Sequence, residues 1–148
     1  KLVLDTSALI HIVRGNDIGQ NIRDYVATFE SPQLIISVAS IAEVESFMVQ
    51  IKWGEVKRKY MHQLLERCIT IDIEKHNEPL RNNYVHIDAY SKRKLEGPDG
   101  KLIDGSSITI GKNDIWIAAT TQSTDAILLT TDGDFDHLNN VFFDVKKF

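Results

Sequence analysis

Cysteine is almost missing from this chain. Cys68 stands alone among 148 residues, so neither a disulfide framework within the chain nor a cysteine-built zinc site is available. Its neighbours Leu64, Leu65 and Ile69 mark it as a buried, inert thiol. Long apolar runs are missing too. None approaches the ~20 residues that a membrane-spanning helix needs, and the start does not read as a secretory leader. A cytoplasmic protein with no membrane partner is the expectation, and the opening Lys1 in place of Met is read as one or two residues lost. Positive charge is also short. A formal net charge of −4 argues against a duplex-DNA binder working through a broad basic face. The histidines His11, His62, His76, His86 and His137 show no His-Glu-x-x-His spacing. No serine sits in Gly-x-Ser-x-Gly, and there is no glycine-rich phosphate loop. Zinc chemistry and histidine-assisted nucleophiles therefore have no foothold.

What is present is ordinary globular material: 43% hydrophobic and 26% charged residues, enough chain for one domain spanning 1–148. Its pattern alternates. Residues 1–5 read as a buried strand, followed by a helix through Ala8, Leu9, Ile12 and Val13 that stops near Gly15. A second helix spans 17–29, with Ile18, Ile22 and Tyr25 on one face, a face also suited to a homodimer. Strands are expected at Leu34–Ser37, Cys68–Ile71 and Ile127–Thr130. Helices are expected over 39–51, 55–67, roughly 75–95, and from Asp114 onward. Glycines and a proline make residues 96–112 the main loop, and 141–145 reads as a last edge strand, the one place for a hairpin. Strands alternating with helices imply an α/β fold, a three-layer α/β/α sandwich on a mostly parallel sheet.

Four acids fall where apolar strands give way to helix or loop: Asp5, Glu43, Asp114 and Asp132. In one parallel sheet they can meet at its carboxyl edge, where open α/β folds bind ligands. Clustered carboxylates disfavour one another's ionised forms, and a divalent cation resolves the conflict. Each acid also has a plain structural explanation. Asp5 can cap the first helix, Glu43 can close a capping box with Ser40, Asn113 or Asp114 can cap or favour a helix start, and Asp132-Gly133 is a turn pair. Their joint occurrence is what favours a metal site. An EF-hand is excluded, because the sixth and twelfth positions from Asp132 hold His137 and Phe143 rather than glycine and glutamate.

The stretches Leu4-Asp5-Thr6-Ser7-Ala8-Leu9, Ser37 through Glu43, Asn113-Asp114 with Ile117-Ala118-Ala119, and Leu129 through Phe135 together resemble the PIN-domain family. Within it they resemble the VapC-type toxins of toxin–antitoxin pairs. The resemblance implies a PIN-like fold and a ribonuclease dependent on Mg2+ or Mn2+, with RNA as substrate and a protein antitoxin as partner. It also implies site residues. Asp5, Glu43, Asp114 and Asp132 match the acidic quartet, with Asp5, Asp114 and Asp132 as metal ligands. Thr6, Ser7 and Thr130 match hydroxyl positions beside the metal. Asp134 is the alternative to Asp132 as last ligand, or a neighbour contacting the ion through water. The loop at 96–112 is longer than in compact toxins of this kind.

Two other readings compete. A haloacid-dehalogenase-like phosphatase also has an aspartate after its first strand, but Ser7 stands where its second aspartate belongs. A non-catalytic PIN-like binding module would have no use for an intact quartet. For gripping RNA, the basic triplets Lys57-Arg58-Lys59 and Lys92-Arg93-Lys94, with Arg14 and Lys52, are candidates, and solvated helix faces explain them equally well.

Overall fold

Burial of every residue of the first strand organises the molecule. In a computed structural model describing residues 1–148, β1 (Leu2–Leu4) is wholly buried. Leu2 and Leu4 point into one apolar cluster and Val3 into another, because successive strand side chains alternate between faces. Four more strands join it: β2 (Leu34–Ser37), β3 (Ile69–Ile71), β4 (Ile127–Thr130) and β5 (Val145–Lys147). All neighbours pair in parallel, in the order β3-β2-β1-β4-β5.

Helices cover both faces. One cluster joins α1 (Thr6–Arg14), α2 (Asp17–Ala27), α3 (Val38–Gln50) and α4 (Glu55–Glu66) through Leu9, Ile12, Ile22, Val44, Met48 and Met61. The other joins α5 (Glu78–Ser91) and α6 (Lys112–Thr124) through Ile87, Tyr90, Ile115 and Ile117. Each such side chain fully buried stabilises the fold by about 1.5–3 kcal/mol. The result is the expected three-layer α/β/α sandwich, and its sheet is parallel throughout. The chain builds outward from β1 to β2 and β3, then crosses back to lay β4 on the other side of β1. That reversal leaves a crevice outside the carboxyl ends of β1 and β4, the place where such sheets receive ligands.

Two expectations differ from the structure. The helix expected over 75–95 is shorter. Asn77 caps it by accepting a hydrogen bond from the Leu80 amide at 3.2 Å, and Arg93 takes a left-handed conformation (φ 58°) that ends it. The edge strand expected at 141–145 is displaced to Val145–Lys147 and pairs in parallel with β4, so no hairpin forms. Phe143 is drawn into the core and Phe142 packs against His86 and Tyr90. Ahead of both, a 3-10 helix (Gly133–Leu138) and a turn carry the chain away from β4 far enough for it to re-enter in parallel. On the face offered for a homodimer, Ile22 is fully buried, while Ile18 and Tyr25 are partly buried against the same cluster.

The 96–112 segment has no helix or strand before α6 begins at Lys112, yet it is anchored. Ile103 and Ile110 are buried in the core, and the Ile108 amide donates to the Ser91 carbonyl at 2.8 Å. No helix is long and apolar enough to cross a membrane.

Candidate active site

Asp5 leaves the end of β1 and turns the chain into α1. Its carboxylate accepts the Ala8 amide at 2.7 Å, the expected cap, and also the Ser7 hydroxyl at 2.8 and 3.0 Å. A third donor comes from β4: the buried Thr130 hydroxyl donates to Asp5 Oδ2. Thr130 in turn accepts the Asp132 amide at 2.8 Å, so one hydroxyl ties the carboxyl ends of β1 and β4 together. Ser7 is held likewise, accepting from the Thr131 amide at 3.0 Å and the Thr131 hydroxyl at 2.8 Å. Asp5 is only 3% exposed. Burial raises its pKa above the usual carboxylate range, the hydrogen bonds pull it back, and the charge of Asp132 adds to the rise.

Glu43 sits in the second turn of α3. The capping box with Ser40 does not form, because Ser37 caps this helix and the Ser40 hydroxyl is buried without a partner. Glu43 instead accepts from Thr6 on α1 through Oε2 and from Asn113 on α6 through Oε1 at 2.9 Å. Asp114 lies in the first turn of α6, whose cap is Gly111 rather than Asn113 or Asp114. Asp132 caps the 3-10 helix by accepting the Asp134 amide at 3.0 Å.

These four acids open on one cleft of about 620 Å³, with Thr6, Ser7 and Asn113 beside them. No lysine or arginine lines it, and the molecule's two ion pairs, Lys92–Asp88 and Lys147–Asp136, involve none of the four. The Asp114 carboxyl registers the crowding. Desolvation first, then the charges of Glu43, Asp132, Asp134 and Asp5, push its pKa from 3.8 up to about 6. Asp134 is thus close enough to act through its charge, although it does not line the cleft.

The family model for the PIN domain matches residues 2–141. The chain belongs to the PIN-domain family. This PIN domain also superposes on solved structures of low identity, which share its fold. VapBC2 from Rickettsia felis, bound to a DNA fragment from its promoter, aligns with a TM-score of 0.72 at 18% identity, covering 99% of this chain and 97% of the other. VapBC-1 from nontypeable Haemophilus influenzae gives 0.71 at 21% identity, covering 99% and 96%. FitAcB from Neisseria gonorrhoeae gives 0.64 at 19%, covering 98% and 96%. No curated protein matches the chain by sequence.

Whether a divalent cation suits this PIN domain is decided by its donors. Every acidic donor in the cleft is a carboxylate oxygen, the ligand type that hard cations such as Mg2+ and Mn2+ prefer. The cluster carries uncompensated negative charge that such an ion would neutralise. The donor chemistry fits. As the side chains lie, however, no three acidic, histidine or cysteine side chains are arranged to clasp one ion. In this arrangement Asp5 is engaged by Ser7, Ala8 and Thr130, and Glu43 by Thr6 and Asn113.

Sequence reasoning did not assign Asn113 or Thr131 a contact, although both fix acidic-site geometry. It also missed the far wall of the cleft: Ile10 on α1, with Ser46, Phe47 and Gln50 on α3. A signal existed, since Glu43, Phe47 and Gln50 recur at helical spacing on one face. The basic triplets stay outside: Lys92 pairs with Asp88, and Lys57 lies over Trp53.

Proposed function

We propose that this PIN domain is a divalent-metal-dependent endoribonuclease, and that the whole chain acts as the cytoplasmic toxin of a toxin–antitoxin pair. The observation that carries the reading is four carboxylates around one cleft with no protein cation to balance them. Support for the partner comes from structural neighbours described as a toxin–antitoxin complex from Klebsiella pneumoniae and as VapBC-5 from Mycobacterium tuberculosis, of the VapBC family of toxin–antitoxin systems.

Asp5, Asp114 and Asp132 are the residues to hold Mg2+ or Mn2+, with Asp134 able to contribute from just outside. When bound, the ion supplies electrostatic stabilisation of phosphate charge and a water of lowered pKa. The rest is the work of the chain. Thr130 and Ser7 hold the buried Asp5 carboxylate in one orientation, and Thr130 fixes the backbone that carries Asp132. Thr6 and Asn113 grip both oxygens of Glu43, so that it aligns a water for attack on phosphorus in line with the 3′-oxygen. The bond from phosphorus to the 3′-oxygen breaks, the 2′-hydroxyl takes no part, and the products carry 5′-phosphates and 3′-hydroxyls. The phosphatase alternative draws nothing from the site, because Ser7 serves to hold Asp5.

The test is cleavage of single-stranded and hairpin RNAs with Mg2+, with Mn2+ and with EDTA, followed by mapping of the ends. Cleavage leaving 5′-phosphates, abolished by EDTA and reduced at least 100-fold by Asp5→Asn, is expected. Cleavage that persists in EDTA, or that leaves 2′,3′-cyclic phosphates, contradicts the reading.

A further inference from the structure

The cleft is larger than one ion and one phosphate group require, and its outer half has a composition of its own. Its walls are two helices leading away from the sheet edge. On α1, Ile10 follows Thr6 by one turn, and Arg14 follows Ile10 by another. On α3, Glu43 is followed one turn on by Phe47, and then by Gln50. Ser46, Phe47, Gln50 and Ile10 line the outer half, a mixture of apolar surface and hydrogen-bonding groups. Arg14 is exposed, its guanidinium carbon 5.4 Å from the centroid of the Phe47 ring. It is the one lysine or arginine on either helix, and neither ion pair of the molecule involves it.

We propose that Arg14, shelved on Phe47, binds a backbone phosphate of the nucleotide next to the scissile bond, so that single-stranded nucleic acid runs along the groove between α1 and α3. This rests on the nuclease reading above. Phe47 lies four residues, about 6 Å of helical rise, beyond Glu43, the scale of one nucleotide step along an extended strand. A polyanion entering an acidic cleft needs a cation for phosphates that the reacting centre does not neutralise. A stacked arginine with free donors is suited to that task. A cation at the end of α1 also favours the helix dipole. That role needs only charge and is indifferent to RNA, so the two are separable.

The experiment measures binding of graded-length single-stranded oligoribonucleotides by fluorescence anisotropy, with Mg2+, in an Asp5→Asn background that does not cut them. Arg14→Gln should weaken binding about fivefold to tenfold and flatten the slope of log K against log salt by about 0.7, the loss of one phosphate contact. The effect should vanish for oligonucleotides too short to reach it. Arg14→Lys should restore the slope and part of the affinity. In the cleaving protein, Arg14→Gln should raise KM more than it lowers kcat. Lys1→Gln, an equal charge change at the opposite end of β1 from the cleft, is the control. If Arg14→Gln matches that control in affinity, slope and length dependence, the proposal is wrong. If the unsubstituted protein neither binds nor cuts RNA with Mg2+ or Mn2+, the nuclease reading itself fails and this inference falls with it.

Discussion

At the scale of single residues, Asp114 sets the clearest thermodynamic expectation. Desolvation and four neighbouring acids raise its pKa from 3.8 to about 6. A group whose pKa is raised on folding favours the folded state fully below the unfolded value, and that advantage is lost as pH climbs through the folded one. Without divalent cations, the protein should therefore become less stable between about pH 4 and pH 7. Asp114→Asn removes the carboxylate while keeping its shape. In EDTA it should raise Tm at pH 8 by a few degrees, at roughly 2–4 °C per kcal/mol for a chain of this length, and give no gain near pH 4. Thermal melting across that range checks it; an equal gain at both pH values, or none at pH 8, contradicts it. The acids themselves were legible in the sequence because each falls beside an apolar run, Asp5 and Asp132 just after a strand and Asp114 just before Ile115-Trp116-Ile117. Their partners were not. Thr130 reaches Asp5 across 125 positions and Asn113 reaches Glu43 across 70, and no local pattern encodes such pairings.

At the scale of elements, the helix pair that carries Thr6 and Ser7 depends on one close approach. A methyl group added at Gly19 on α2 would stand 2.1 Å from the His11 carbonyl oxygen of α1, and backbone cannot yield cheaply. Gly19→Ala should destabilise the protein by about 1–3 kcal/mol, the usual cost of overpacking, and displace α1. Urea unfolding should show it, with RNA cleavage falling more than for an equally destabilising substitution in α4. An unchanged midpoint contradicts this account of the contact. Most elements could be read ahead of the structure because their apolar residues recur at helical or strand spacing, as in β2 and α3. The misreadings fell where tertiary packing overrode local preference. Val141 to Phe143 have strand composition, yet Phe143 gains more by entering the core, and the strand forms later. Nor could glycine content reveal that the long loop is pinned by Ile103 and Ile110.

At the scale of the whole molecule, topology does the gathering. Four acids separated by up to 127 positions share a cleft because β1 and β4 end side by side at the sheet's point of reversal. The chain's membership of the PIN-domain family and the fold it shares with the VapBC structures agree with that topology. The formal charge of −4 is of a piece with it, since two divalent cations would bring it to zero. Calorimetric titration of the protein with Mn2+ at pH 7.5 tests the central claim most directly. Saturable binding is expected, weakened at least tenfold by Asp5→Asn, Asp114→Asn or Asp132→Asn. Asp136→Asn, at an acid that pairs with Lys147 away from the cleft, should leave it unaltered. No binding, or binding that none of the three substitutions weakens, contradicts the account.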